Sequence, residues 1–513
     1  MKVSETLLIC LICFQTTISK HPNVLFIIAD DLRPSLGCYG SKEAHTPNID
    51  SLATKSFLFK NAFAQQALCG PSRTSFLTSR RPDSLRTYDN WGNYWRASLG
   101  NFVTLPQHFK RNGYYAYSIG KVFHPGRLSN HTDDYPYSWS VEAFHPPTEK
   151  YSNAKVCSDK KGGLARNLIC PVVPEYQPSG TLPDLESSQE AERFLRNWRG
   201  ITDGRPFFLA VGFHKPHVPF KFPVEYLDFH PLENVSLPTN RWRPAGMPEV
   251  AWNPWNDVRK RDDIDKLKIP YPYGPMADET MREIKRAYYA SVSYIDDMIG
   301  RILKHVDEET VVVLTGDHGW SIGEHGEFAK YSNFDIATKV PLLIHVPRLS
   351  NTEIIFNNPV ELVDIFPTLV DLTQISQPLK KCAGDGAVLC TEGRSLVQSM
   401  VKILRNTKIA SSSAFSQYPR PGLVPSRHPD SDQPKSKEIE IMGYSIRTKR
   451  YRYTEWVEFS TKSFRPDWNV TFGRELYDHL IDIQENDNIV DREAMGEIVR
   501  TLREKLMLGW RYI

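Results

Sequence analysis

Along the chain, short unbroken apolar runs alternate with stretches whose apolar residues recur at helical spacing. Residues 24–29 form a continuous apolar run, as a strand buried on both faces should. Runs at 114–119, 207–213, 311–314 and 342–346 predict further strands. Helices are predicted at 48–57, 72–78, 105–112 (closed by Gly113) and 279–305. This alternation predicts an α/β fold, a large, mostly parallel sheet sandwiched by helices. A polar, proline-containing segment at 422–437 reads as an exposed connection. Beyond it, alternating Tyr, Arg, Ile and Thr at 442–456 predict antiparallel strands, and 491–507 a last helix. The expected division is a main domain over 20–425 and a smaller C-terminal subdomain over 426–513.

The first residues obey another pattern. Lys2, the apolar run 7–14 and the small polar ending Thr17-Ile18-Ser19 predict a signal peptide over residues 1–19. That run is too short to span a bilayer, and no later one is long enough, so no membrane insertion is expected. Asn130, Asn234 and Asn469 each open an Asn-x-Ser/Thr triplet that can accept a glycan in the secretory pathway. Of eight cysteines, Cys10 and Cys13 lie in the leader, which leaves six. Cys157 with Cys170 and Cys382 with Cys390 is the simplest pairing into local disulfides, though spacing alone does not fix connectivity. Cys38 and Cys69 are then buried thiols or a third bridge. With 63 basic and 60 acidic residues the net charge is only +3, which gives no case for nucleic acid. Recognition of an anion falls to individual cations in a pocket.

The chemistry sits just past the strand ends. The run at 24–29 leads into Asp30-Asp31, 114–119 into Gly120-Lys121 and His124, 207–213 into His214-Lys215-Pro216-His217, and 311–314 into Asp317-His318. In a parallel sheet these ends share one edge, where ligands bind. Asp30, Asp31 and Asp317 supply hard oxygen ligands, so calcium is the expected ion, with the imidazole of His318 as an unusual neighbour. Cys69 stands at the start of the helix predicted over 72–78, just before it and beside Arg73, a setting that can stabilise a thiolate. Carboxylates and lysines around it suit transfer of an anionic group better than thiol hydrolysis. His217 reads equally as a structural histidine, and Trp320 as packing.

Cys69-Gly70-Pro71-Ser72-Arg73, with Leu77-Thr78 after it, resembles the sulfatase signature, and Ser79 stands where that pattern carries glycine. Asp30-Asp31 and Thr315-Gly316-Asp317-His318-Gly319 are similar to the family's metal motifs, which more often carry Asn at the place of His318. The runs 31–40, 61–67, 120–126, 323–327 and 416–421 are similar to the family's iduronate-acting branch, including the two residues between Lys121 and His124.

The resemblance implies an alkaline-phosphatase-like fold and oxidation of Cys69 to formylglycine (3-oxoalanine) by the formylglycine-generating enzyme. It implies one calcium ion on Asp30, Asp31, residue 69, Asp317 and His318. Lys121 and Lys330 would hold sulfate oxygens, His214 or Lys330 would protonate the leaving oxygen, His124 would act as base, and Arg73 would fix geometry. The implied substrate is the 2-O-sulfate of non-reducing-end iduronate in heparan and dermatan sulfate, hydrolysed in the lysosome, with secretion as a further destination. Three rivals stand beside it: a sulfatase for another sugar, a phosphate or phosphonate hydrolase using Ser, Thr or unmodified Cys, and an inert glycan-binding protein. The last should have lost a metal carboxylate, a lysine or Cys69, and none is missing.

Overall fold

A computed structural model describes residues 21–159, 162–383 and 388–512. The expected signal peptide lies outside the described residues. The main sheet has eight strands. In chain order these are β1 (Val24–Asp30), β2 (Phe57–Phe63), β3 (Tyr115–Gly120), β4 (Phe207–Pro216), β5 (Val311–Gly316), β6 (Lys339–His345), β7 (Ile354–Phe356) and β8 (Val360–Glu361). They are ordered β7-β2-β6-β5-β1-β4-β3, and β8 also pairs with β2. β5, β1, β4 and β3 are mutually parallel. β6 runs antiparallel to both of its neighbours.

Burial on both faces explains the unbroken apolar runs. In β1, Leu25, Ile27 and Ala29 join one core with Phe194 of α4 (Pro183–Ile201) and Tyr288 and Ile295 of α5 (Asp278–Leu303). Val24, Phe26 and Ile28 join the opposite core with Phe76 of α2 (Cys69–Thr78) and Phe109 of α3 (Leu105–Arg111). The result is the expected three-layer sandwich. Three boundaries differ: the strand expected over 207–213 runs on through His214 to Pro216, the helix expected at 72–78 begins at Cys69, and the helix expected over 48–57 ends early, as α1 (Pro47–Ala53), so that Phe57 opens β2. Phe57, Leu58 and Phe59 are fully buried between strands on both sides, so tertiary pairing takes them from the helix.

The C-terminal part is a four-stranded antiparallel sheet of β9 (Ala414–Arg420), β10 (Ile441–Arg447), β11 (Tyr451–Ser460) and β12 (Arg465–Asp478), packed by α6 (Gly496–Leu508). The connection at 422–437 is only partly exposed. Ser431 and Asp432 are buried, and the Asn256 amide donates to the Asp432 carboxylate. Disulfides join Cys157 to Cys170 and Cys382 to Cys390, while Cys38 and Cys69 are free thiols. Asn130, Asn234 and Asn469 are all exposed. No helix among the described residues is long and apolar enough to cross a membrane.

Candidate active site

The four parallel strands end on one edge, and close backbone approach shapes it. Gly120, at φ +70°, and Gly212 let β3 and β4 touch: a Cβ on Gly212 would lie 1.9 Å from the Lys121 carbonyl oxygen. At the end of β1, Asp31 turns into the left-handed region at φ +63°, which Asp tolerates better than most residues. Its amide donates to Asp317 Oδ1 at 2.9 Å. Cys69 begins α2, whose ten residues are all buried, and the Gly70 amide donates to Asn90 Oδ1 at 2.8 Å.

Arg73, one helical turn after Cys69, clamps three strand ends together. Its Nε donates to Asp317 Oδ2 at 2.9 Å, and its Nη2 lies 3.2 Å from Asp30 Oδ1. Its Nη1 donates to the carbonyls of Lys121 and Val122. Lys121 pairs with Asp30. Lys330 lies 2.7 Å from Asp31 Oδ1 and 3.0 Å from Cys69 Sγ. Ala329 and Tyr331, on either side of it, both take positive φ (69° and 68°), backbone strain of roughly 1–3 kcal/mol each that the packed surroundings must offset.

Asp30, Cys69, Asp317 and His318 offer donor atoms that all lie within 4.8 Å of one another. His318 Nδ1 lies 3.0 Å from the Gly319 carbonyl oxygen, so that nitrogen carries the proton. The Nε2 lone pair then faces Cys69 Sγ at 3.4 Å and carboxylates of Asp31 and Asp317 at 3.5 Å each. Burial pushes Asp31 up to about 8, aided by Asp30 and Asp317 against the pull of Lys330. Burial, and Asp30 against Arg73, lifts Asp317 to about 6. Asp30 is also opposed by burial, but Lys121, His217, Arg73 and Lys330 hold it well below the usual carboxylate range.

Three buried carboxylates therefore compete for charge even beside three cations, and Asp31 Oδ2 is buried with no hydrogen-bond partner. An oxygen-rich box with one imidazole and such an orphaned oxygen fits a hard divalent cation. Burial and Asp30 push the Cys69 thiol up, which disfavours an unmodified thiolate as nucleophile.

The mouth of the site carries three partly exposed histidines. Burial and then Lys121 push His124 down to about 3, leaving it neutral, with Nδ1 unpartnered. Burial opposes charge on His214 as well, but Asp184 and Glu149 raise it to about 9. His217 Nδ1 lies 2.7 Å from the Val218 carbonyl oxygen and its Nε2 4.0 Å from Asp31.

Every candidate site residue from the sequence (Asp30, Asp31, Cys69, Arg73, Lys121, His124, His214, Asp317, His318 and Lys330) lies at this edge. Trp320 packs beneath it, 1% exposed, with Lys330 Nζ 5.8 Å from its ring. Asp184, Glu149 and Asn90 escaped the sequence reading. Asp184 sits in the first turn of a helix, where acidic residues are common for dipole reasons alone. Glu149 comes after a Pro-Pro turn with no strand before it.

A model of the sulfatase family matches residues 22–375. The chain is 46% identical to human iduronate 2-sulfatase and 45% identical to the mouse protein, in each case over 94% of this chain and 93% of the relative. In fold it is similar to a 2-O GAG sulfatase (TM-score 0.64, 20% identity, 94% of this chain and 90% of that one). It is also similar to the phosphonate monoester hydrolase of Agrobacterium radiobacter (TM-score 0.67, 21% identity, 96% and 95%). A family match over most of the chain and near-full-length similarity to curated relatives agree with the edge of carboxylates, lysines and cysteine: the chain belongs to the sulfatase family and is a sulfuric ester hydrolase.

Proposed function

We propose that the chain removes the 2-O-sulfate from non-reducing-end iduronate in heparan sulfate and dermatan sulfate, in the lysosome. The observation that carries this substrate is the 45% and 46% identity, over 94% of the chain, to two relatives named iduronate 2-sulfatase. Sulfatases use a metal ion and a formylglycine. In our reading a calcium ion held by Asp30, Asp31, Asp317 and His318 with residue 69 would supply Lewis-acid stabilisation and acidify a hydroxyl. Residue 69, oxidised by the formylglycine-generating enzyme, would supply the hydrated aldehyde that acts as nucleophile.

The chain's own residues divide the remaining work. Lys121 and Lys330, both nearly buried, bind sulfate oxygens and stabilise charge where water is excluded. Arg73 touches a carboxylate on each of two strand ends and the backbone of a third, and fixes their spacing. His214, charged between two carboxylates, donates its proton to the sugar oxygen as that oxygen leaves. His124, kept neutral, accepts a proton from residue 69.

Two measurements test this. Mass spectrometry of the peptide spanning residue 69, from protein made in cells with the modifying enzyme, should find the aldehyde mass; an unmodified thiol in active protein defeats the mechanism. A panel of 2-, 6- and N-sulfated disaccharides should show turnover of the 2-O-sulfated iduronate; failure on that sugar with turnover of another defeats the substrate assignment.

A further inference from the structure

Around His214 lies an alternation of acids and imidazoles that extends beyond the groups the reaction requires. Asp184 Oδ1 accepts the His214 backbone amide at 2.7 Å and lies 3.3 Å from its Nδ1, and Asp184 Oδ2 accepts the Lys215 amide at 3.1 Å. On the other side of the ring, Nε2 lies 3.3 Å from Glu149 Oε1. Glu149 Oε2 lies 3.6 Å from His145 Nδ1, and His145 Nε2 lies 3.7 Å from Asp133 Oδ2. The sequence Asp133–His145–Glu149–His214–Asp184 is therefore continuous in space.

The two arms share an anchor. Glu149 belongs to the single turn Pro147–Tyr151. Within it, Thr148 donates to Glu186 Oε2 from its amide at 3.1 Å and from its hydroxyl at 2.6 Å. Glu186 lies in the same first turn of α4 as Asp184. One helix end thus fixes both carboxylates that flank His214. The outer end meets solvent: His145 and Glu149 line an open cavity of about 540 Å³, and the His145 side chain is 38% exposed against 14% for His214.

His214 Nε2 is buried and makes no aligned hydrogen bond, although Glu149 is in ion-pair range. The carboxylate is close enough to stabilise a charged ring but out of line with the N–H. The charged and titratable groups around this imidazole are Asp184 and Glu149 directly, His145 behind Glu149, and Lys215 and Tyr294 beside Asp184. The Lys215 ammonium is turned towards the carbonyls of His217 and Pro219.

We propose that Glu149 is a positioning residue for the sulfate-ester reaction: it holds His214 as the imidazolium and fixes the orientation of its ring, and His145 docks Glu149 against Asp133. The inference rests on the reading of His214 as the acid. When the sulfur–oxygen bond to the sugar breaks, its electron pair stays on the sugar oxygen, which takes the Nε2 proton. The ring is left neutral, with Nδ1–H facing Asp184, and a solvent proton restores its charge. Burial alone would favour the neutral ring, and the two carboxylates reverse that preference.

The test compares the full-length enzyme with Glu149→Gln and Glu149→Asp on two esters, a 2-O-sulfated disaccharide and an aryl sulfate whose acidic phenol needs no proton to leave. Glu149→Gln should lower kcat on the sugar about tenfold or more with little change in KM, and move the alkaline limb of the rate profile down by about one pH unit. On the aryl sulfate the loss should shrink to under about threefold, because general acid assistance is dispensable there. Glu149→Asp should recover part of the alkaline limb. Equal losses on both esters with an unmoved alkaline limb would mean a merely structural role and overturn the inference, as would a Glu149→Gln enzyme indistinguishable from the parent. His214→Gln separates the two readings: if it keeps full turnover of the sugar ester, the acid assignment itself fails. If it loses turnover while Glu149→Gln does not, only the role of Glu149 fails.

Discussion

His124 lies past the end of β3 and His214 in the last residues of its parallel neighbour β4, yet their surroundings push them in opposite directions. His124 lies three residues beyond Lys121 and receives mainly burial and positive charge, which hold it neutral. His214 is equally opposed by burial, but carboxylates of Asp184 and Glu149 lie 3.3 Å from its two ring nitrogens and keep it charged. Two residues of one type thereby acquire complementary proton-transfer roles through their neighbours, the pattern by which acid and base assignments are recognised. The difference is built by topology: β3 ends in a tight turn carrying a lysine, whereas β4 ends against the first turn of α4.

The largest effect is expected where both sides share a support. Arg73→Ala removes the guanidinium from Asp30 and Asp317 and frees the backbone that leads to His124. Leaving buried carboxylates without their partner should cost about 3–5 kcal/mol in urea unfolding and bring turnover below detection. A stable, active Arg73→Ala enzyme would show that the strand ends hold their geometry without the clamp.

Next in size are the histidines themselves. His214→Gln should lose about a hundredfold in kcat on the sugar sulfate and much less on an aryl sulfate, whereas the loss in His124→Gln should not depend on the leaving group. If the leaving-group dependence falls on His124 instead, the two assignments must be exchanged.

Stability against pH offers a smaller contrast. The folded-state pKa of His214 is raised from 6.5 to about 9, so its stabilisation is fully present below about 6.5 and is lost as pH rises through about 9. The folded-state pKa of His124 is lowered from 6.5 to about 3, so the unfolded chain binds more protons between those values and stability falls as pH drops through that window. Each contribution is on the order of a few kcal/mol. In urea titrations across pH, His214→Gln should flatten the alkaline loss and His124→Gln the acid loss. Identical pH curves for the two variants would remove the electrostatic distinction.

Much of the site was legible because strand ends concentrate chemistry: an unbroken apolar run leading into Asp-Asp, Gly-Lys or Asp-His marks the ligand edge of a parallel sheet. The groups that set proton affinities were not. Asp184 and Glu149 come from a helix start and a turn that reach His214 only through tertiary packing, and neither neighbourhood has a local pattern separating it from ordinary surface acid. The early end of α1 has a related cause, since Phe57 to Phe59 fit either period until flanking strands claim them.

The smallest effect is expected at Ser79, which leaves both histidines untouched. It caps α2 at φ +52°, a left-handed position that favours glycine, and glycine is what the sulfatase signature carries there. The serine offsets that strain with its hydroxyl, which donates to the Val363 carbonyl at 2.6 Å and lies 2.7 Å from Thr391 Oγ1. Ser79→Gly relieves about 1 kcal/mol of backbone strain and gives up hydrogen bonding worth about 1 kcal/mol, so stability should change by less than about 1 kcal/mol either way. Ser79→Ala keeps the strain and loses the bonds, leaving a buried carbonyl with one partner fewer, so it should cost about 1–2 kcal/mol. Because the helix begins at residue 69, kcat and the pH profile of both variants test whether its far end is mechanically independent of the site. Unchanged kinetics beside the expected order of stabilities would confine the proton chemistry to the strand ends, whereas a shifted alkaline limb in Ser79→Gly would extend it to the seat of α2.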